Sequence, residues 1–375
     1  MIGYGFPVIR VVVVSAILVA MFALGDQGVG SGLLAQSGRR LVVVAEWPDR
    51  LEAALNVAGA QGYTCGAVAR PVPPLQMEEA VAWLVRPTDD ARMDYRVVSG
   101  HARFDRAVLE RAVTAAGDEG FAVCGLTVTQ RPGVRAGAGN QHVFVFGRER
   151  AQAVRRRLYR VIFTSGVGSE WSRVEAALKE GFTIVRVVWS QPEGATLPEV
   201  VFLAERDAES GAGAASSTLE SDGEAAGLTK RVTRRAADGY RVEAAWASPT
   251  SVSVLMTRRA GSPSSSPDYV VTASSTGSFS PAPSNGLLLA SVPFKGMRYA
   301  IHDRSRPGAY TNFDREHAAF NQLLGSPGAE ARNLEQALAE RFESGRERPV
   351  DVVYRDTSTK GRLRAEAILG RSTQP

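Results

Sequence analysis

The residue types that most often bind metals or catalyse reactions are few and dispersed in this chain of 375 residues. His302 and His317 are the closest two histidines in the sequence, and no cysteine or further histidine lies at ligand spacing from either; His101 and His142 stand apart. Asp303 follows His302, but the other acidic groups and histidines that a metal hydrolase needs do not accompany it. We therefore expect no metal and no cofactor, and solvated or hydrogen-bonded histidines.

Motifs for nucleophiles and phosphate binding are also missing from the sequence. It contains no Gly-x-Ser-x-Gly elbow and no Gly-Lys-Ser/Thr loop. The segments "GAGN" (137–140) and "GVGS" (166–169) lack the downstream acid of a dinucleotide site, so we interpret them as turns. Carboxylates are many, and examples are predicted on solvated helix faces: Glu110, Glu119, Glu175 and Glu180. No catalytic residue is predicted.

The densest positive charge lies in "RERAQAVRRRLYR" (148–160). Its arginines could bind an anionic surface, a lipid headgroup or an acidic glycan, or they could form ion pairs with neighbouring acidic residues. The candidate anion-binding residues are Arg148, Arg150, Arg155, Arg156, Arg157 and Arg160. The net charge of the whole chain is +5, and positive residues outside this segment are spread along the chain, so we expect no nucleic-acid partner. Most of the five tryptophans are predicted to be core residues.

The N-terminus has the layout of a secretory signal peptide over residues 1–25. Arg10 precedes the apolar run "VVVVSAILVAMFAL" (11–24), and small residues, Ala23 and Gly25, occupy the positions of a cleavage site. The run is short for a membrane-spanning helix, although an uncleaved anchor stays an alternative. We expect a mature protein in the periplasm or outside the cell. In that compartment Cys65 and Cys124 could form a disulfide, but strand alternation predicts opposite faces and two buried, unpaired thiols.

One phrase recurs along the chain, each time as an apolar helical stripe followed by glycine and an aromatic residue. The glycines are Gly62, Gly120, Gly181 and Gly239, which follow one another at nearly equal intervals. At the end of a helix, glycine is suited to the left-handed conformation of a C-terminal cap. Weaker echoes occur in "FKGM" around Gly296 and "FESGR" around Gly345. A period of about 57 residues predicts tandem repeats.

Strand patterns flank each helix, so the predicted unit is strand, helix, strand, strand. The predicted fold class is α+β, with tandem β-α-β-β repeats, antiparallel sheets, helices on one face, and neighbouring units packed in pairs. Repeats one to three are predicted at 38–90, 92–150 and 156–208, and a flexible linker at 209–227. An incomplete repeat four (228–261), a degenerate repeat five (267–313), with Pro293 inside its supposed helix, and a degenerate repeat six (317–371) follow.

Residues 94–149 resemble a small bacterial domain of unknown function. The match consists of Tyr95, Val97, Val98, Leu109, Gly117, Gly120, Phe121, Phe146 and Arg148. The first unit is similar through Leu55, Asn56, Gly59, Gly62, Tyr63 and Arg86, whereas the third departs at Leu178, where the first glycine would fall. The resemblance implies no chemistry.

These observations favour an exported, non-enzymatic repeat protein that acts as a binding or assembly scaffold in the cell envelope. An envelope protein or an anionic surface is the expected kind of partner. Two alternatives stay open: an exported hydrolase or ligand-binding enzyme with a site between repeats, and a membrane-surface protein attached through the basic segment.

Overall fold

Small antiparallel sheets dominate the structure, a computed structural model that combines them with a few helices. It describes residues 41–71, 77–86, 91–101, 105–130, 140–164, 171–190, 199–209, 213, 215–259, 266–275, 286–308, 310–318, 347–356 and 362–371. The predicted signal peptide, Gly345 and the predicted helix "LEQALAERF" of repeat six lie outside these residues. The mixed α and β composition agrees with the predicted class.

Each sheet begins with a strand that precedes its helix, where a helix is described. In chain order the elements are β1 (Leu41–Glu46), α1 (Pro48–Ala60), β2 (Thr64–Val68), β3 (Arg70–Pro71), β4 (Ala80–Val85), β5 (Met93–Gly100), α2 (Arg106–Asp118), β6 (Ala122–Gln130), β7 (Asn140–Glu149), β8 (Arg157–Thr164), α3 (Trp171–Lys179), β9 (Thr183–Ser190), β10 (Glu199–Asp207), β11 (Ala215–Asp222), α4 (Ala225–Ala237), β12 (Arg241–Ala247), β13 (Val252–Arg259), β14 (Tyr269–Ser275), β15 (Leu287–Phe294), β16 (Met297–Asp303), β17 (Tyr310–Ala318), β18 (Glu347–Asp356) and β19 (Arg362–Arg371).

All six sheets have the same strand order, in which the last strand in sequence lies in the middle. The orders are β1-β4-β2, β5-β7-β6, β8-β10-β9, β11-β13-β12, β14-β16-β15 and β17-β19-β18, which we number sheets one to six. In sheet six the short β3 of the first unit adds to β18 in parallel. Main-chain pairing therefore joins the first unit to the C-terminal sheet.

The helices end at the recurring glycines. Gly62, Gly120, Gly181 and Gly239 have φ angles of +88°, +83°, +85° and +85°. In each case the following aromatic donates its amide hydrogen to a carbonyl in the last turn, for example Tyr63 to Ala58 over 3.2 Å. This left-handed exit turns the chain directly into the next strand.

Each described helix contacts the first strand of the following sheet as well as its own unit. Asn56 on α1 exchanges hydrogen bonds with the main chain of Tyr95 on β5, at 2.8 and 3.0 Å, and Glu52 accepts one from Val97 over 2.8 Å. Thr233 and Thr229 on α4 bond β14 in the same way. These side chains satisfy the edge of a strand that would otherwise expose unpaired main-chain groups.

The first glycine of the recurring motif makes room for a tyrosine of the next sheet. A Cβ atom at Gly117 would overlap the Arg157 carbonyl and the Tyr159 ring. The Tyr159 hydroxyl donates to Phe121 O over 3.1 Å and accepts from Val123 N over 3.0 Å.

The third unit has Leu178 where the second has Gly117, and the next sheet explains this difference. The next sheet offers Ala215 in the same apolar core, and no tyrosine ring has to be accommodated there. A large helix residue therefore meets a small strand residue, whereas Gly117 meets Tyr159.

Six apolar cores separate the six sheets, and each core is formed by two neighbouring sheets. The core between sheets six and one, for example, joins Trp83 and Ala67 to Tyr354 and Val352, and Trp83 Nε1 donates to the Tyr354 hydroxyl over 3.3 Å. The other five cores join sheets one and two, two and three, three and four, four and five, and five and six. The sheets therefore form a closed ring, whereas the sequence predicted units packed in pairs.

The strands β2, β6, β9, β12, β15 and β18 lie at the centre of this ring, and we call them the inner strands. Each contains a one-residue β-bulge against its middle strand. The bulged residues are Gly66, Cys124, Val185, Glu243, Leu289 and Val350. Bulges increase twist and bend a strand, which allows the inner strands to curve around a common centre.

The predicted linker over 209–227 is wrong for its second half. Residues 215–222 form β11, the first strand of sheet four, and α4 begins at Ala225. Sheet four is therefore complete. Its first strand reads as a linker because it is rich in serine and acidic residues, and within it only Ala215 and Glu220 are buried.

The predicted boundaries of repeats five and six also need correction. Pro293 lies in β15, and Lys295 and Gly296 form the tight turn between β15 and β16, with φ angles of +47° and +72°. Gly286, with φ +79°, directly precedes β15 and lies one residue nearer to its bulge than the four caps lie to theirs. Sheet six begins with β17 at Tyr310, inside the range predicted for repeat five.

Candidate functional site

The inner strands enclose a cavity at the centre of the ring, with a volume of about 320 Å³. Every inner strand contributes to its wall, and all six bulged residues line it. We call it the central cavity. Because the bulges interrupt the regular alternation of side chains, they bring charged residues to a wall that is otherwise composed largely of small and aliphatic residues. The charged residues of the wall are Arg70, Arg186, Glu243 and Asp351.

Asp351 forms a cluster where β3 of the first unit meets sheets five and six. It is bound by Arg70 over 2.6 Å and by Arg298 over 2.8 Å. Arg298 Nε also donates to Ser291 Oγ over 2.7 Å, and Arg70 donates to the Ser291 carbonyl over 3.2 Å. Burial alone would raise the pKa of Asp351, but the two arginines outweigh burial and hold that pKa below its usual value. The carboxylate therefore stays ionised at neutral pH.

The cluster continues behind the wall to a second buried carboxylate, Glu366. Its Oε1 lies 3.0 Å from Arg355 Nε without hydrogen-bond alignment, and its Oε2 lies 3.8 Å from Arg298. Arg298 and Glu366 have side chains that are 3% and 4% exposed. Breaking such a buried pair would leave an uncompensated charge, which is strongly destabilising.

Glu243, the bulged residue of β12, joins sheets three and four. Its Oε1 accepts the main-chain N–H of Ile184 over 2.9 Å, and its Oε2 accepts the Thr257 hydroxyl over 2.9 Å. Arg259 lies 3.6 Å away. Both carboxylate oxygens therefore have protein partners, and Glu243 acts as a connector between sheets.

Arg186 differs from these residues because its hydrogen bonds go to main-chain carbonyls. It donates to Val185 O over 2.7 Å and, across the boundary between sheets, to Cys124 O over 3.1 Å. Solvent reaches the guanidinium from the cavity, yet the surrounding walls remove much of its bulk water. This desolvation, followed by the charge of Arg70, lowers the pKa of Arg186, which still remains charged at neutral pH.

A disulfide joins Cys65 and Cys124, with 6.0 Å between their Cα atoms. The prediction of unpaired thiols on opposite faces is wrong. Strand alternation misled it because β2 is bulged at Gly66 and β6 at Cys124 itself, so counting residues from the aromatic no longer gives the face. The bond connects sheets one and two beside the central cavity.

The candidate anion-binding arginines of the basic segment each have an acidic neighbour. Arg148 and Arg150 lie 3.5 and 2.7 Å from Asp94, Arg155 pairs with Asp207, Arg156 lies 2.6 Å from Asp118, Arg157 pairs with Glu205, and Arg160 lies 2.7 Å from Glu180. Arg148 and Arg160 also lie over the rings of Phe121 and Phe182. None of them lines the central cavity.

The histidines His101, His142 and His302 do not form one cluster. His142 and His302 are buried, and burial, with a smaller effect of His101, lowers the pKa of His142 to about 3. His101 Nδ1 lies 3.1 Å from the Asn140 carbonyl, and His317 lies on β17. No group of three histidine, cysteine or acidic side chains placed to hold a metal occurs among the described residues.

Comparisons with protein-family models, with curated proteins and with solved structures found no match. The resemblance of residues 94–149 to a bacterial domain therefore stays a prediction. Within the described ranges, no helix combines the length and apolarity needed to cross a membrane.

Sequence reasoning missed the central cavity and its arginines. Arg186 stands in "FTIVRVVW", where it looks like any exposed strand residue, and Arg70 follows a strand without a motif. A signal existed only in the position of each bulge: Gly66, Cys124, Val185 and Glu243 stand at the same offset from the capping glycine that precedes each of them.

Proposed function

We propose that the chain is an exported, non-enzymatic scaffold built from tandem β-α-β-β units of about 57 residues, and that it binds a small molecule in its central cavity. One observation carries this proposal: six bulged inner strands, one from each sheet, meet at a single cavity. Ligand sites in proteins are commonly concave, mostly apolar and supplied with a few polar groups, and they start at about 300 Å³. The central cavity is concave and reaches this volume, and polar groups form a larger share of its accessible wall than apolar groups do.

Three features support the tandem origin of the units. The strand order is the same in every sheet, the four capping glycines have the same conformation, and each inner strand has its bulge at a corresponding place. In this proposal the helix of each unit lies on one face of its sheet and faces the next unit around the ring.

Export is supported by the apolar leader together with the Cys65–Cys124 disulfide. Disulfides persist in oxidising compartments and are rare in the cytosol. An envelope partner fits this location. Attachment to a membrane through residues 148–160 gains no support, because the arginines named above are already engaged with carboxylates.

Binding is favoured over catalysis by the state of the two carboxylates in the wall. Asp351 is ionised and held by two arginines, and Glu243 is held by an amide, a hydroxyl and Arg259. A general base needs an available lone pair and a pKa close to the working pH. The pKa of Asp351 is held below its usual value, and the oxygens of both carboxylates already have protein partners, so these two residues rigidify the wall.

A thermal-shift screen with small carboxylates, phosphates, sugars and amines tests the proposal. Val350 lines the cavity and is 48% exposed, so Val350→Trp should fill the cavity without removing a core contact. Val108, 57% exposed on α2 and outside the cavity, provides the matched control Val108→Trp. We expect at least one compound to stabilise the wild type and Val108→Trp but not Val350→Trp. A complete absence of hits, or equal stabilisation of all three proteins, would refute binding in the cavity.

A further inference from the structure

We infer that the central cavity binds the oxyanion group, carboxylate or phosphate, of a small organic molecule, and that Arg186 is the residue that holds it. The inference rests on the proposed function and names the chemical class of its ligand. It starts from a difference among the charged residues of the wall. The carboxylates of Glu243 and Asp351 have hydrogen-bond or ion-pair partners on both oxygens, whereas the guanidinium of Arg186 has N–H donors to spare.

The guanidinium of Arg186 is positioned but not neutralised. Two main-chain carbonyls, from Val185 and Cys124, hold it in place. An arginine has five N–H donors in a rigid fork, so about three remain for a ligand. Among the described residues no carboxylate lies within ion-pair distance of Arg186. A preorganised guanidinium with spare donors matches a carboxylate or a phosphate group in two-point contact.

The ion pairs of the wall leave Arg186 apart. Asp351 is paired with Arg70 and Arg298, and Glu243 lies 3.6 Å from Arg259. Among the described charged residues of the wall, Arg186 is the one without an ion pair.

The charge of Arg70 destabilises the ionised guanidinium of Arg186, and the charges of Glu205 and Asp351 offset part of this effect. An anion beside Arg186 would relieve this repulsion in a space where the walls limit screening by water.

The uncharged residues of the wall indicate what the rest of the ligand contacts. Leu126, Val187, Leu289 and Val350 surround the charged groups, together with glycine and alanine residues of the inner strands. These aliphatic side chains can contact a short hydrocarbon body, while polar groups contribute most of the accessible wall. The volume of about 320 Å³ restricts the ligand to a small molecule.

Isothermal titration of the protein with hexanoate, hexanol and inorganic phosphate tests the inference. Hexanoate should bind, and Arg186→Gln should weaken its affinity by at least tenfold. Arg186→Lys, which keeps the charge and loses the fork, should weaken it less than Arg186→Gln. The matched control is Arg258→Gln, because Arg258 is also exposed and donates to a main-chain carbonyl, that of Asp238 over 3.3 Å, but lies outside the cavity. This control should bind as the wild type does.

Further measurements distinguish a phosphate ligand from a carboxylate ligand and separate failure of this inference from failure of the proposed function. Competition by inorganic phosphate would indicate a phosphate ligand, whereas its failure to compete would indicate a carboxylate. Equal binding of hexanoate to the wild type and to a folded Arg186→Gln variant would overturn the role of Arg186. Binding of hexanol but not hexanoate, blocked by Val350→Trp, would overturn the oxyanion class and leave the proposed cavity function intact. Thermal melting of every variant shows that it is folded.

Discussion

Removal of the Cys65–Cys124 disulfide should destabilise the protein by a predictable amount. The bond closes a loop with a sequence separation of 59 residues. The chain-entropy expression for such a loop gives about 4 kcal/mol of stabilisation through the unfolded state, and measured values fall mostly between about 2 and 4 kcal/mol. The paired substitutions Cys65→Ala and Cys124→Ala also remove two sulfur atoms from the margin of the core between sheets one and two.

The assay is urea unfolding followed by tryptophan fluorescence, since the chain contains five tryptophans. With an m value of about 3 kcal/mol/M, a loss of about 3 kcal/mol lowers the urea midpoint by about 1 M. Reduction of the wild type should lower its midpoint similarly, and reduction of the double variant should leave its midpoint unchanged. This comparison separates the covalent bond from the packing of the sulfur atoms.

Two outcomes would refute the reasoning. One is a midpoint for the double variant within about 0.2 M of the wild type, because loop closure alone predicts a shift several times larger. The other is the titration of two thiols in wild-type protein denatured without reductant, which would show that the bond is not formed.

Three further predictions concern the described residues and use the same unfolding assay. Gly117→Ala should cost about 1–3 kcal/mol because its methyl group would overlap Arg157 O and the Tyr159 ring, whereas Gly213→Ala, with no atom within 4 Å, should be nearly neutral; equal effects would contradict the close approach of helix and strand. Gly239→Ala should cost about 1–2 kcal/mol through its φ of +85° alone, because its Cβ would meet only the flexible Arg258 side chain at 3.4 Å, and a stabilised variant would exclude the left-handed cap. Burial, opposed by a main-chain hydrogen bond and aided by the charges of Glu78 and Glu46, raises the pKa of Glu79 from 4.5 to about 7. An acid with a raised folded pKa contributes stability that is complete below its unfolded pKa and lost as the pH rises through its folded pKa, so the wild type should lose stability between about pH 4.5 and 7. Glu79→Gln should flatten this dependence while the exposed Glu78→Gln keeps most of its slope, and an unchanged slope in Glu79→Gln would exclude Glu79 as its source.

Local patterns predict the helices and their ends because the physical cause lies within a few residues. The stripe of Leu109, Val113 and Ala116 is buried as helical spacing requires, and Gly120 follows with positive φ. The misread elements are those whose burial depends on neighbours. β11 has little apolar character, and its place between β13 and α3 makes it a strand.

The shortened fifth unit shows a second limit of sequence periodicity. Gly286 follows Gly239 after a shorter interval than those between the earlier caps, so a search at the regular period selects Gly296, which belongs to a hairpin turn. The two glycines have similar φ angles, +79° and +72°, although Gly286 lies at the entry to β15 and Gly296 lies in the turn between β15 and β16. Periodicity identifies a unit only where its connections keep their length.

The central cavity could not be predicted because it depends on the closure of the ring. Its wall joins residues from Gly66 to Val352, and their adjacency follows from the packing of six sheets and from six bulges. The pairing of Cys65 with Cys124 was missed for the same reason, since the bulges change the direction of both side chains.

Closure of the ring is the central claim, and a double-mutant cycle between Arg70 and Asp351 tests it most directly. Arg70 lies on β3, the strand of the first unit that pairs with sheet six, and Asp351 lies on β18 of the last unit. Their side chains are 2.6 Å apart in the closed ring. The unfolding free energies of Arg70→Met, Asp351→Asn and the double variant should give a coupling energy of about 1–3 kcal/mol. The exposed pair Arg304–Asp268, at 2.8 Å within sheet five and its flanking segments, should couple by less than about 1 kcal/mol. Additivity of Arg70→Met and Asp351→Asn within about 0.5 kcal/mol would contradict the closed ring, because residues at opposite ends of an open array do not interact.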